Sequence, residues 1–120
     1  MNIEEVLGAW RANCAINHEL LAICSDNDLE LKPGKGKTIR SNFVHIAGTR
    51  RAHLEERMKK EAESVPKPDW KTANREELTE VVALTDQLME VAFRKQEETG
   101  KPARWTTPMF PRALHRRSWR

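Results

Sequence analysis

The sequence predicts an all-α fold: an up-down bundle of three long helices followed by a short or truncated fourth. Three segments each carry one apolar stripe with spacings of three and four residues, and nothing alternates with a period of two over a useful length. Three such stripes can close around a common core. A chain of 120 residues fits one domain.

The first helix is expected over residues 3–24. Asn2 can cap its start, and Glu5 three residues later gives a variant of the capping box. An acidic turn follows at residues 26–28, and the proline and glycine content of residues 29–37 excludes a continuous helix there. The apolar stripe of this helix consists of Ile3, Leu7, Trp10, Cys14, Leu21 and Cys24.

The second helix is expected over residues 41–65, because Pro66 forbids its continuation. Arg50 interrupts its apolar stripe and is therefore assigned, together with Arg51, to an outer face of the helix. The stripe itself consists of Phe43, Ile46, Ala47, Leu54 and Met58.

The third helix is expected over residues 75–99, capped by Asn74 with Glu77 and closed by Gly100. Short connections favour an up-down-up arrangement of the three helices. We divide the chain into a bundle over residues 1–108 and a short basic C-terminal segment over residues 109–120. Prolines in that segment leave room for only a short remnant of a fourth helix.

Charge is distributed unevenly along the chain. The formal net charge is +3, yet residues 101–120 carry six basic side chains and no acid, so residues 1–100 have a balance of −3. A basic tail alone supports only weak, salt-sensitive contact with RNA or DNA, so nucleic acid is an unlikely main partner. No apolar run is long enough to span a membrane and the N-terminus does not look like a secretory signal, which predicts a cytoplasmic protein.

Several residues invite a chemical interpretation that their spacing does not support. Cys14 and Cys24 lie roughly 15 Å apart along one helix, too far for a disulfide, and are expected to be reduced and packed. The Gly-Lys-Thr at residues 36–38 lacks the earlier glycine of a phosphate-binding loop and is better explained as a flexible basic loop. His18 lacks the second histidine of a zincin helix and is expected at the surface or edge of the first helix.

His45 lies on the second helix, away from its main apolar stripe, so periodicity alone places it toward solvent or at a helix interface rather than in the core. Taken alone, His115 lies in the basic tail and is a still weaker candidate for a metal ligand than His45.

A series of short local sequences gives a more specific indication. In order, they are Trp10 with Asn13 and Leu20-Leu21, then Asp28-Leu29 with Lys32-Pro33, then Val44-His45-Ile46-Ala47 with Arg50 and Leu54, and finally Trp105-Thr106. In this order they resemble the DinB/YfiT-like family of four-helix bundles over residues 3–108.

The resemblance implies a divalent metal, zinc or nickel, bound by three histidines. One histidine comes from the second helix and two come from a His-x-x-x-His-Arg-Gly stretch on the last helix. His45 matches the first ligand and His115, followed by Arg116, matches the third, but the second position holds Pro111. The ligand set is therefore incomplete, and the spacing does not select a carboxylate to replace the missing histidine.

The resemblance also implies a thiol-dependent transferase or a hydrolase-like enzyme, with a small thiol or another small molecule as substrate. The alternative is a non-catalytic helical module for dimerisation or interaction. A truncated or frame-altered fourth helix would leave the apolar stripes partly open, which predicts a homodimer. The side chains expected to need a second chain are Trp10, Phe43, Leu78, Val81 and Leu88.

Overall fold

The structure, a computed structural model, describes residues 2–100. Its helices are α1 (Ile3–Ile23), α2 (Ile39–Arg57), α3 (Lys59–Glu63) and α4 (Arg75–Thr99), with a short 3-10 turn at Asp28–Glu30 between α1 and α2. No strand occurs within residues 2–100, so the prediction of an all-α fold is confirmed for that range. None of the helices described there has the length and apolar character needed to cross a membrane. The predicted fourth-helix remnant at residues 109–120 lies outside the described residues.

The ends of α1 and α4 follow the local sequence. Asn2 Oδ1 accepts a hydrogen bond of 2.9 Å from the Glu5 N–H at the start of α1. At the start of α4, Asn74 and Glu77 each accept from the other's backbone N–H, which completes a capping box. Gly100 closes α4 in the left-handed conformation, with a φ of 65°. All three predicted caps are confirmed.

The second predicted helix is broken, which corrects the expected range of residues 41–65. The chain leaves helical geometry at Met58, with a φ of −141° and a ψ of 62°, and α3 begins at the next residue. In an unbroken helix Ala62 would lie about 80° around the axis from Leu54. The break instead lets Ala62 and Val65 reach the core, where both are almost fully buried.

α1 runs antiparallel to α4. Arg11, in the first half of α1, pairs with Glu90 near the end of α4, whereas His18, further along α1, contacts Asp86, which lies earlier in α4. In an up-down-up arrangement the first and third long helices would be parallel, so the antiparallel packing of α1 on α4 contradicts that part of the prediction. Only the antiparallel relation of α1 to α2, which follows from the parallel course of α2 and α4 described next, agrees with it.

α2 and α4 run parallel, so the up-down-up prediction is wrong for the last helix. Arg40 at the start of α2 bonds to Ala73 just before α4, and Arg57 at the end of α2 bonds to Gln96 near the end of α4. A short connection would have made α2 and α4 antiparallel, but residues 58–74 are numerous enough to carry the chain back along the whole length of α2.

Arg50 is buried rather than on an outer face, which corrects a second expectation. Only 2% of it is exposed, because α2 directs it against α1 and α4. Its guanidinium lies 4.6 Å from the centre of the Trp10 ring, and that ring packs edge-on against Phe93 at 5.3 Å. Arg50, which interrupts the apolar stripe of α2 in the sequence, is therefore part of the core.

The core is closed to a greater degree than the sequence suggested. Of the five side chains expected to need a second chain, Trp10, Phe43, Leu78 and Val81 are buried and Leu88 is partly buried. Among residues 2–100, the large apolar side chains that remain exposed are different ones: Ile16, Leu20, Ile23, Leu31, Trp70 and Val91. The homodimer stays a prediction, but the open apolar stripes that led to it are largely buried within residues 2–100.

Candidate ligand-binding groove

His45 is exposed on α2 and faces an open groove with a volume of about 620 Å³. Periodicity predicted a position toward solvent or at a helix interface rather than in the core, and the exposed side chain is the first of these. We call this feature the His45 groove, and it is lined by Lys32, Lys35, Gly36, Lys37, Thr38, Ser41, Val44, His45 and Trp70.

The loop that precedes α2 forms one wall of the His45 groove. Its two ends are tied together, because the Ile39 N–H donates to the Leu31 carbonyl oxygen at 2.9 Å. Within the loop, Gly34 has a φ of 65° and the Gly36 N–H donates to the Pro33 carbonyl oxygen at 3.3 Å, which makes a turn. The loop therefore has a defined path, and its lysines are brought to one side of the groove.

A buried arginine holds this loop and the opposite wall in place. Arg40, only 6% exposed, donates from Nη1 to Glu30 Oε1 at 2.6 Å and from Nε to the Ala73 carbonyl oxygen at 2.7 Å. Glu30 precedes the loop, and Ala73 ends the segment that carries Trp70. Arg40 thus fixes both walls relative to α2.

The start of α2 is already capped by the chain itself. Thr38 Oγ1 accepts a hydrogen bond of 3.1 Å from the Ser41 N–H. The residues before the loop form a 3-10 turn and not the strand that a phosphate-binding loop requires, which agrees with the interpretation of residues 36–38 as a basic loop. Two N–H groups at the start of α2, those of Ile39 and Ser41, therefore already have partners within the chain.

The electrostatics of the His45 groove favour a negatively charged ligand. Three ammonium groups line it, and among the described residues no carboxylate does. Lys71 adds a fourth cation nearby, with Nζ 4.8 Å from the centre of the Trp70 ring. Asp69 lies next to Trp70 in sequence and keeps its negative charge, because hydrogen bonds from the backbone N–H groups of Lys71 and Thr72 lower its pKa; its carboxylate is held at that backbone and does not line the groove.

The described residues supply one of the two histidines expected at the metal site. His115 and Pro111 lie outside them, and in residues 2–100 no three His, Cys, Asp or Glu side chains lie close enough together to hold a metal ion. A carboxylate could replace the missing histidine, but Glu90 on α4 is already paired with Arg11 at 2.7 Å. His45 itself stands among lysines, which repel a cation.

A second polar cluster lies between α1, α2 and α4. Asp86 Oδ1 accepts from Arg50 Nη1 at 2.6 Å, and Asp86 Oδ2 lies 2.6 Å from His18 Nε2. Arg50 Nη1 also lies 3.0 Å from Thr85 Oγ1, and Trp10 Nε1 donates to the Asp86 carbonyl oxygen at 3.1 Å. His18 is partly buried at the edge of α1, as expected. These contacts tie three helices together.

Cys14 belongs to the same cluster but is not a candidate nucleophile. Its Sγ lies 3.9 Å from Arg50 Nη2, and burial, aided by the neighbouring Asp86, raises the pKa of the thiol to about 12. Cys24 is also buried and reduced, and burial raises its pKa as well. The expectation of reduced, packed cysteines is confirmed, and we interpret the cluster as structural.

The sequence pointed to His45 and to a basic loop at residues 36–38, but it did not connect that loop or Trp70 with His45. Lys32, Lys35 and Lys37 alternate with other residues through the loop, and this spacing was the available signal. No sequence signal connected Trp70 with His45, because Trp70 lies 25 residues later and reaches the groove only through the long connection between α2 and α4.

Comparison of the chain with protein-family models, with curated proteins and with solved structures finds no match.

Proposed function

We propose that this chain is a DinB/YfiT-like helical protein that binds a small anionic molecule in the His45 groove. The observation that carries the proposal is the lining of the groove, which combines three lysines, one histidine and one tryptophan. The resemblance to a family with thiol-dependent members makes a low-molecular-weight thiol that carries carboxylates the first ligand class to consider.

Each part of the lining has a role toward such a ligand. The ammonium groups of Lys35 and Lys37 attract carboxylates, and the exposed ring of Trp70 offers a flat apolar surface to the ligand's carbon skeleton. The imidazole of His45 can accept the proton of a thiol or donate a hydrogen bond to a carboxylate.

The affinity should be modest and dependent on salt. Exposed ion pairs contribute about 0.2–1 kcal/mol each, so three of them with partial burial of Trp70 correspond to a dissociation constant on the order of 1 mM. Such a value suits a cytoplasmic thiol present at high concentration better than a rare signal molecule.

The resemblance implies zinc or nickel binding through His45 and His115, but a groove lined by three lysines does not fit a cation, so the proposal does not depend on a metal. The lysines of the groove attract the anionic ligand with or without the ion, so binding and orientation depend on this chain's own side chains.

Trp70 provides the test. We expect reduced glutathione, used as a probe that carries both a thiol and carboxylates, to change the tryptophan fluorescence of the full chain in a saturable way, and the Trp70→Phe variant to lose that change. S-methylglutathione should still bind if the carboxylates dominate. An unchanged spectrum up to about ten times the expected dissociation constant would reject the proposal.

A second candidate function is a non-catalytic helical interaction module. One observation favours it: Ile16, Leu20 and Ile23 are exposed together on α1. Single exposed apolar residues are ordinary, but a row of them on one helix face indicates a contact surface.

A further inference from the structure

We infer that two copies of this chain associate through the outer face of α1, packed antiparallel about a two-fold axis at Ile16. The inference extends the second candidate function and does not depend on the His45 groove.

The outer face of α1 is a continuous apolar row. Residues 9, 12, 16, 20 and 23 follow one another at spacings of three and four, so they share one side of the helix. Ile16 is 63% exposed, Leu20 41% and Ile23 77%, although α1 buries its opposite side in the core. The chain as a whole is 32% charged, yet these five positions carry no charge; Glu5 continues the row at its N-terminal end, four residues before Ala9, and Glu19 lies at its margin.

The order of large and small residues makes this row complementary to itself. When two copies of α1 run antiparallel with Ile16 against Ile16, position i faces position 32 − i. Ala9 then faces Ile23 of the second copy and Ala12 faces its Leu20, so two large side chains of each copy meet small ones, while Ile16 meets its own copy on the axis. A two-fold interface must match its own surface in this way.

The other candidate occupant within the protein is the basic segment at residues 101–120. It carries six positive charges and no acid, whereas the α1 row offers no carboxylate to pair with them. An uncharged row is better matched by an identical uncharged row, which favours a second copy of the chain.

Cross-linking tests the register as well as the contact. We expect the full chain with Ile16→Cys to form a disulfide-linked dimer on mild oxidation, because residue 16 meets its own copy. Ile23→Cys is the matched control: it is more exposed, but in this register the two copies of residue 23 lie roughly 20 Å apart, beyond disulfide reach. Cys14 and Cys24 are buried and should not contribute.

Sedimentation equilibrium of the full chain at roughly 50 µM measures the association itself. Ile16→Glu should weaken it about tenfold or more, because two carboxylates then face each other, whereas Val91→Glu on α4 should not. A monomeric wild type, equal cross-linking of the two cysteine variants, or equal effects of the two glutamates would overturn the inference. Retained glutathione binding in a monomeric protein would refute the dimer and leave the groove proposal standing.

Discussion

Arg50 Nη1 lies 2.6 Å from Asp86 Oδ1, and this pair joins α2 to α4 at a point where the arginine is 2% exposed. A charge this deeply buried is tolerated only when it is paired and hydrogen-bonded. The parallel packing of α2 on α4 therefore depends on a contact that the apolar pattern does not show.

Removing the carboxylate should destabilise the protein strongly. Asp86→Ala leaves the Arg50 charge buried without its counter-charge, which should cost about 3–5 kcal/mol in the free energy of unfolding by urea. Glu90→Ala is the matched control on the same helix, because its partner Arg11 has a side chain that is 55% exposed. That change should cost less than about 1 kcal/mol. Equal losses in the two variants would contradict a special role for the buried pair.

The two cysteines should resist thiol reagents while the protein is folded. The pKa of Cys14 is raised to about 12 by burial, so at pH 8 only about one molecule in ten thousand carries the thiolate. We expect a coloured disulfide reagent to label neither Cys14 nor Cys24 quickly in buffer, and to label both in urea. Rapid native labelling of one thiol per chain would show that Cys14 or Cys24 is accessible.

His53 should make stability fall in mild acid. Burial, aided by the Arg57 charge, lowers its pKa in the folded state below the usual 6.5. The unfolded chain therefore binds more protons in this range, and the free energy of unfolding decreases as the pH falls below about 6.5. Urea titrations at pH 7.5 and 5.5 measure the decrease, which should be smaller in His53→Gln. The same decrease in both proteins would exclude His53 as the cause.

Features set by neighbouring residues were predictable from the sequence, and features set by distant ones were not. In the caps at Asn2 and Asn74 the asparagine side chain accepts from the backbone N–H three residues later, and both caps were predicted. The burial of Arg50 depends on Asp86, 36 residues further along, so a single-helix pattern could only place that arginine outside.

The His45 groove shows the same limit. Periodicity left His45 either toward solvent or at a helix interface, and the structure exposes it to solvent. The groove exists because Arg40 bonds to Glu30, 10 residues before it, and to Ala73, 33 residues after it. The sequence did not show that α4 runs parallel to α2, because a connection as long as residues 58–74 allows either a parallel or an antiparallel pair.

Metal content should be low. We expect less than one zinc or nickel per chain after purification without an affinity tag, and little change in the urea midpoint on addition of a chelator. His45 stands among lysines, and Pro111 has no donor atom at the expected second ligand position. If about one metal per chain were found, and if His45→Ala abolished it, another residue would have to replace the missing histidine and complete the metal site.

The most direct test of the His45 groove is calorimetric titration of the full chain with reduced glutathione. Lys35→Ala with Lys37→Ala removes two charges from the groove, whereas Lys59→Ala with Lys60→Ala removes two exposed charges from α3. We predict that the first pair weakens binding about tenfold and the second less than twofold, because only the first pair contacts the ligand. Equal weakening by both pairs, or no binding to the wild type, would contradict the assignment of the groove as an anion site.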